Sequence, residues 1–325
     1  MNYQDLKQHP TNFLALTSLT LVEFDYLLKH FDPCWEKYYK HYTLEGKKRI
    51  LPAFTEHGNA LLKGTHQKLF FLLVYMKNNP LQTFQASSFG LSQAKVSKIY
   101  RALLAVLDHT LTGLELAPCR DSIALKEALA NLPQRVFWLD GTETPIPRNT
   151  DQDVQQEDFS GKQHGHRLKN LTLCDAAQRI HYLSPTESGS RHDKTLADSY
   201  PLHLPAGSVL KQDLGFLGHQ PAGVVIEMPF KKPKNQELTF SQKLYNQLLS
   251  STRVIVEPHR RTDANSGLKR LRMLKDVCRV HHEVVRDRIR VVACGLHNLR
   301  VSGVDAARGY QTSSRLQAYI TTFSE

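Results

Sequence analysis

The sequence predicts a helical domain over residues 1–120 followed by a mixed α/β domain over 121–325 built on one central sheet. Apolar residues recur at helical spacing through the first third, and short apolar runs ending in acids begin after about residue 133. The third observation is charge: 42 Lys and Arg stand against 31 Asp and Glu in 325 residues, a formal net charge of +11. A surplus of that size points to a polyanionic partner, nucleic acid ahead of an anionic membrane.

The bulk composition excludes other classes. At 41% hydrophobic and 22% charged residues, the chain is an ordinary globular protein. Its five cysteines are scattered with no close pair, which fits neither a zinc site nor a disulfide framework and suits free thiols in a reducing cytoplasm. No signal-type apolar segment opens the chain, and the run from Leu69 to Met76 is far shorter than the ~20 residues a membrane span needs. The expectation is a soluble, cytoplasmic, nucleoid-associated protein with no membrane partner.

In the first domain, Leu16, Leu19, Phe24, Leu27, Leu28 and Phe31 recur at helical spacing, and Thr20 followed by Glu23 reads as a capping box. A second helix, roughly His66 to Asn78, is apolar on most sides and ends before Pro80, as a buried central helix does. Leu81 to Ser88 forms a short helix, Gly90 supplies a turn, and Ser92 caps a longer helix with Val96, Ile99, Leu103 and Val106 facing inward. Gln93, Lys95, Ser97, Lys98 and Arg101 fall on its other faces. That is the layout of a helix-turn-helix with a basic, hydrogen-bonding recognition helix, and Gln93, Lys95, Lys98 and Arg101 are its candidate DNA contacts.

The pattern changes after residues 121–133. RVFWLDGTE is a short apolar run ending in an acid, the way a buried strand delivers a carboxylate to a sheet rim. HRLKNLTLCDAAQRIHYLSPTES reads as two strands turning near Asp175. SVLKQDLGF is a further strand, Lys194 to Tyr200 a short helix, and Gly267 to about Val304 a last amphipathic section. Three acids stand out: Asp140 closing the first strand, Asp213 closing a later one, and Glu257 after Val254-Ile255-Val256. Hard divalent cations need oxygen ligands, and phosphodiester chemistry favours two ions ~3.5–4 Å apart sharing carboxylates. His192 with Asp193 offers an auxiliary or a different reading, a His-Asp phosphohydrolase. That chemistry needs further ligands, which the spacing does not supply, and Asp193 reads as a cap of the short helix.

The words WLDGTETPIPR, FSGKQHGHRLKN, SPTESGSRHDKTLAD, QDLGFLGH, MPFKKPKNQELT, NQLLSSTRVIVE, NSGLKRLRMLKD and CGLHNLRV follow one another over most of residues 135–302. In order and rough spacing they resemble the DDE-type transposases of bacterial insertion sequences, specifically the insertion-sequence-five family and its Harbinger-like relatives. LTSLTLVEFDYLL and the helix-turn-helix also resemble the front end of these proteins. The resemblance implies a ribonuclease-H-like second domain with Asp140, Asp213 and Glu257 as catalytic, metal-binding acids. It implies two Mg²⁺ or Mn²⁺ ions, double-stranded DNA as element ends and target, and a homodimer when two ends are synapsed. Asp193 stays open as an alternative second acid; Asp213 is preferred because it ends a strand.

Basic residues surround these acids in the sequence: Lys162, Arg167 and Lys169; Lys231, Lys232 and Lys234; Arg253, Arg260, Arg261, Lys269 and Arg270. Clustered near the acids they read as phosphate clamps, with Arg253 and Lys269 closest to the scissile strand. The chain departs from the family after Glu257. EPHRRTDANSGLK is longer than the family's corresponding word, and Pro258 forbids a helix running through from Val256. Either Glu257 still reaches the metals or the site is damaged, so a transposase-derived DNA-binding protein without catalysis is the alternative.

Overall fold

The computed structural model describes residues 1–55, 60, 62–130, 132, 135–252 and 264–309, the side chains of 251–252 and 304–309 excepted. These form two units, Met1–Ala117 with Leu268–Glu325, and Pro118–Gly267. The sequence reading gives everything after residue 121 to the second domain, but the last helix packs on helices of the first third. Its apolar stripe, including Ile289, Val292 and Leu296, is buried there.

The first unit opens with α1 (Tyr3–Leu6), α2 (Pro10–Thr17) and α3 (Leu21–His41). Ser18, whose φ of 68° ends α2, leaves Leu16 in α2 and Phe24 to Phe31 in α3. Thr20 and Glu23 form the reciprocal capping box that starts α3: the Thr20 hydroxyl accepts from the Glu23 N–H at 3.2 Å, and the Thr20 N–H donates to the Glu23 carboxylate at 2.7 Å. Helix α4 (Thr65–Asn78) is buried on all sides from Gln67 to Met76, as its apolar sequence demands. Then come α5 (Gln82–Phe89) and α6 (Gln93–Gly113), joined through Gly90, whose φ of 68° is a left-handed turn that glycine adopts without strain. The Ser92 side chain accepts from the Lys95 N–H and caps α6.

The second unit contains α7 (Ser122–Ala130), β1 (Val136–Pro145), α8 (Gln152–Asp158), β2 (Phe159–Ser160), β3 (Gly165–Asp175), β4 (Ile180–Leu183) and β5 (Glu187–Ser188). It continues through α9 (Asp193–Ser199), β6 (Val209–Lys211), a 3₁₀ turn (Leu214–Phe216), β7 (Val225–Glu227), α10 (Phe240–Thr252) and α11 (Ala264–Leu268). Finally α12 (Arg272–Lys275) and α13 (Glu283–Gly309) return to the first unit.

β1 is the central strand. It pairs antiparallel with β3, which carries β4 and β5 on its far edge, and parallel with β6, which pairs parallel with β7. This antiparallel meander on one side of a central strand, with parallel strands on the other, is a ribonuclease-H-like arrangement. Phe137 and Leu139 of β1 enter a core with Leu125 and Leu129 of α7, Leu171 and Leu173 of β3, Leu196 of α9, Leu210 of β6 and Phe216. The strand does not close at Asp140, as the acid at the end of the apolar run suggests. It runs on to Pro145, because every residue from Phe137 to Pro145 is paired with β3.

Candidate active site

Strand geometry decides which acids can meet. The β1–β6 register couples Val136 to Val209, Phe137 to Leu210 and Trp138 to Lys211. Carried two residues further, the same offset sets Asp140 level with Asp213. Side chains alternate along a strand, so Asp140 shares its face with Trp138, and Asp213 shares its face with Lys211. Paired residues of neighbouring strands share a face too, and the Lys211 ammonium lies 5.3 Å from the Trp138 ring centroid. Extended in this way, the register would bring Asp213, just past β6, to the face of β1 that carries Asp140.

Each acid is held locally. Asp140 Oδ1 accepts from the Gly141 N–H at 2.8 Å, and Asp140 Oδ2 accepts from Asn265 Nδ2 of α11 at 2.7 Å. Asp213 lies two residues beyond β6 in extended conformation, and its Oδ1 accepts from the Gly215 N–H at 2.9 Å, capping the 3₁₀ turn. Asn265 was not singled out from the sequence, although it stands in the ANSGLK word. An asparagine in a polar word reads as a turn residue, and only the folded chain shows it buried against Asp140.

Asp193 has a different role from the helix cap its sequence position suggests. His192, which is exposed, occupies the N-cap position of α9 and makes no side-chain cap bond. The Asp193 carboxylate instead pairs with Lys169 Nζ at 3.0 Å. Lys169, 6% exposed, also stands 3.4 Å from Glu143 Oε1 and donates to the Arg191 carbonyl at 2.9 Å. Glu143 takes Arg167 Nε at 3.7 Å as well. Lys169 is thus committed to protein partners and does not serve as the phosphate clamp expected from its neighbourhood. Gly141 follows Asp140 and so faces the other side of β1, where a Cβ would come 2.9 Å from Asp193 Oδ1. Asp193 therefore approaches β1 from the face opposite the Asp140 side chain.

The other expected residues fall in several places. Glu257, Arg253, Arg260 and Arg261 lie outside the described residues. Lys162, Lys231, Lys232 and Lys234 are exposed on the second unit, and Lys232 pairs with Glu237. Lys269 and Arg270 are exposed on the first unit. Lys211, which the sequence reading passed over, is the cation on the acids' own face, paired with Glu227 at 3.1 Å. Among the described residues, no three His, Cys, Asp or Glu side chains stand close enough together to hold a metal ion. Asp140 and Asp213 nevertheless supply hard oxygen donors of the kind Mg²⁺ and Mn²⁺ take.

In the first unit, α5, Gly90 and α6 form the helix-turn-helix. Gln93, Lys95, Lys98 and Arg101 are exposed on α6, while Val96, Tyr100, Leu103, Leu104 and Leu107 are buried. Ile99, expected to face inward, is only half-buried, and Tyr100 takes that place against Tyr75 at 4.8 Å between ring centroids. Lys98 is paired with Glu45 at 2.8 Å, and this lysine holds the Glu45 carboxyl down to about 2. Gln93 donates to Gln82 of α5.

A family model described as the DDE superfamily endonuclease matches residues 139–298, spanning Asp140 and Asp213. A second, the helix-turn-helix of DDE superfamily endonuclease, matches residues 62–113, which contain α4, α5 and α6. By these two matches the chain resembles the DDE-type transposases. It is similar to a probable transposase for insertion sequence element IS702 from Microchaete diplosiphon, with 29% identity over 184 residues. That match covers 56% of this chain and 63% of the relative, so the chain spans somewhat less than two thirds of that protein's length. No solved structure matches it. The endonuclease match runs into α13, so the DDE-type region defined by similarity crosses from one packing unit into the other. No helix among the described residues is long and apolar enough to cross a membrane.

Proposed function

We propose that this DDE-type chain binds the ends of its own element through α6 and carries out divalent-metal-dependent cleavage and strand transfer at Asp140, Asp213 and Glu257. The observation that carries the reading is the parallel β1–β6 register, which, carried two residues past Trp138 and Lys211, would bring Asp140 level with Asp213. Asp140 and Asp213 would hold the ions, with Glu257 as the third acid. Two Mg²⁺ or Mn²⁺ ions bound there would activate the attacking hydroxyl and stabilise the leaving oxygen.

The protein's own contribution is orientation and charge. The Gly141 N–H and the Asn265 amide fix the Asp140 carboxylate, and the Gly215 N–H fixes that of Asp213, so neither must reorganise when a strand arrives. Lys211 places a positive charge on the same face, where a phosphate would sit. Lys95, Lys98 and Arg101 on α6 supply the salt-sensitive grip on the duplex. Exposed Lys231 and Lys232, with Lys269, Arg270 and Arg253, extend that grip as phosphate contacts. We further propose, on its ordered words, that the chain belongs with the insertion-sequence-five group and acts as a homodimer, since two ends must be handled together.

The test is cleavage of a labelled duplex carrying the element ends, in Mg²⁺ or Mn²⁺ and in EDTA. Nicking at the end that needs the metal supports the reading. Salt-sensitive binding without nicking in either metal replaces it with a DNA-binding descendant in which the long segment after Glu257 has cost the activity.

A further inference from the structure

The side chain with the most unusual placement in the second unit is Asp193. It is tied to the buried Lys169, and its carboxylate rests on two glycines at once. A Cβ on Gly141 would lie 2.9 Å from Asp193 Oδ1, and a Cβ on Gly215 would lie 2.9 Å from both Asp193 Oδ2 and Asp213 Oδ1. Real Cβ atoms do not approach oxygen that closely, so both positions need glycine for the carboxylate to fit. These are the two glycines whose N–H groups orient the catalytic acids: Gly141 donates to Asp140 and Gly215 donates to Asp213. One side chain thus lies against both acid-bearing turns, at Gly141 on the face of β1 opposite the Asp140 side chain and at Gly215 beside Asp213 Oδ1.

We propose that Asp193, held in place by Lys169, is a positioning residue that sets the Asp140 turn and the Asp213 turn at a fixed separation. It rests on the proposed function in treating Asp140 and Asp213 as the reacting pair. Asp193 itself is not a metal ligand: it approaches from the face opposite the Asp140 side chain, and Lys169 already balances its charge. Lys169 in turn is anchored by Glu143 and the Arg191 carbonyl, so the wedge is fastened to β1, β3 and the N-terminal end of α9 together.

The test compares full-length wild type with Asp193→Ala, Lys169→Met and Lys169→Arg. The first readout is amide hydrogen exchange at Gly141 and Gly215, which needs no activity. Asp193→Ala is expected to speed exchange at both glycines at least about tenfold, and Lys169→Met to do the same. Lys169→Arg, which keeps the cation, is expected to restore most of the protection.

The second readout is Mn²⁺-dependent nicking: kcat falls at least about tenfold in Asp193→Ala while KM for the duplex stays within about twofold. Mn²⁺ titration gives an unchanged number of bound ions. Unchanged exchange at the two glycines overturns the proposal. Loss of one bound Mn²⁺ in Asp193→Ala overturns it too, by making Asp193 a ligand. A wild-type chain that shows no nicking defeats the proposed function alone, because the exchange comparison still decides the positioning role.

Discussion

The recognition helix and the acid pair solve opposite problems. On α6 the polar residues Gln93, Lys95, Lys98 and Arg101 are exposed, and the helix is fastened by its buried face, Val96, Tyr100 and Leu103. Around Asp140 and Asp213 the polar groups are themselves the structure: Lys169 joins Asp193 to Glu143, and Asn265 holds Asp140, at partial or full burial. Exposed charges in water are worth little individually and act additively on a polyanion. Partly buried charges depend on one another, so removing one partner strands the next. On the proposed function, a surface for holding DNA can therefore tolerate single losses, whereas a site for cutting it cannot.

Several substitutions break or sharpen that contrast. Asp140→Asn is expected to lower strand cleavage at least about a thousandfold, roughly 4 kcal/mol of transition-state stabilisation, with duplex affinity in a gel-shift titration unchanged. Lys169→Met leaves Glu143 and Asp193 without their common cation. It should cost about 3 kcal/mol of stability in urea unfolding, and the loss should shrink when Asp193→Asn is added.

On the helix, Lys95→Ala, Lys98→Ala and Arg101→Ala should each weaken binding severalfold at physiological salt and lower the slope of log affinity against log salt by about 1. The smallest effect is expected at Glu45→Gln. That change releases Lys98 from its ion pair and should raise duplex affinity about twofold in the same titration. The pH dependence has a definite sign. The Glu45 carboxyl is lowered from 4.5 to about 2 in the folded chain, so its pairing is complete above 4.5 and fades as pH falls towards 2.

The two regions also differed in how much the sequence disclosed. The helix-turn-helix was legible because its signals are local: Ser92 as cap, Gly90 in a left-handed turn, and an apolar stripe of period 3.6. Even there Tyr100 was missed, since its hydroxyl makes it read as amphipathic when it packs beside Tyr75 and Met273. In the sheet, the apolar run into Asp140 disclosed the strand. The five residues after it, Gly-Thr-Glu-Thr-Pro, carry no apolar signal and are strand only through pairing with β3.

Lys169 read as a surface cation because lysine is seldom buried, and its burial follows from two acids brought from residues 143 and 193 by the topology. Asn265 was hidden for the same reason: its partner is 125 residues away. The Thr20–Glu23 capping box, a local signal, was legible and starts α3 just after the left-handed Ser18 ends α2.

The central claim is that holding and cutting reside in separate regions. One experiment puts it most directly: binding and Mn²⁺-dependent nicking of the same labelled element end, measured for wild type, Asp140→Asn and Lys98→Ala/Arg101→Ala. The account predicts that Asp140→Asn binds like wild type and does not nick. The α6 double variant should bind more weakly, yet nick at the wild-type rate once the duplex is saturating. Equal nicking by Asp140→Asn and wild type, or nicking that stays lost in the α6 variant at saturation, would contradict it.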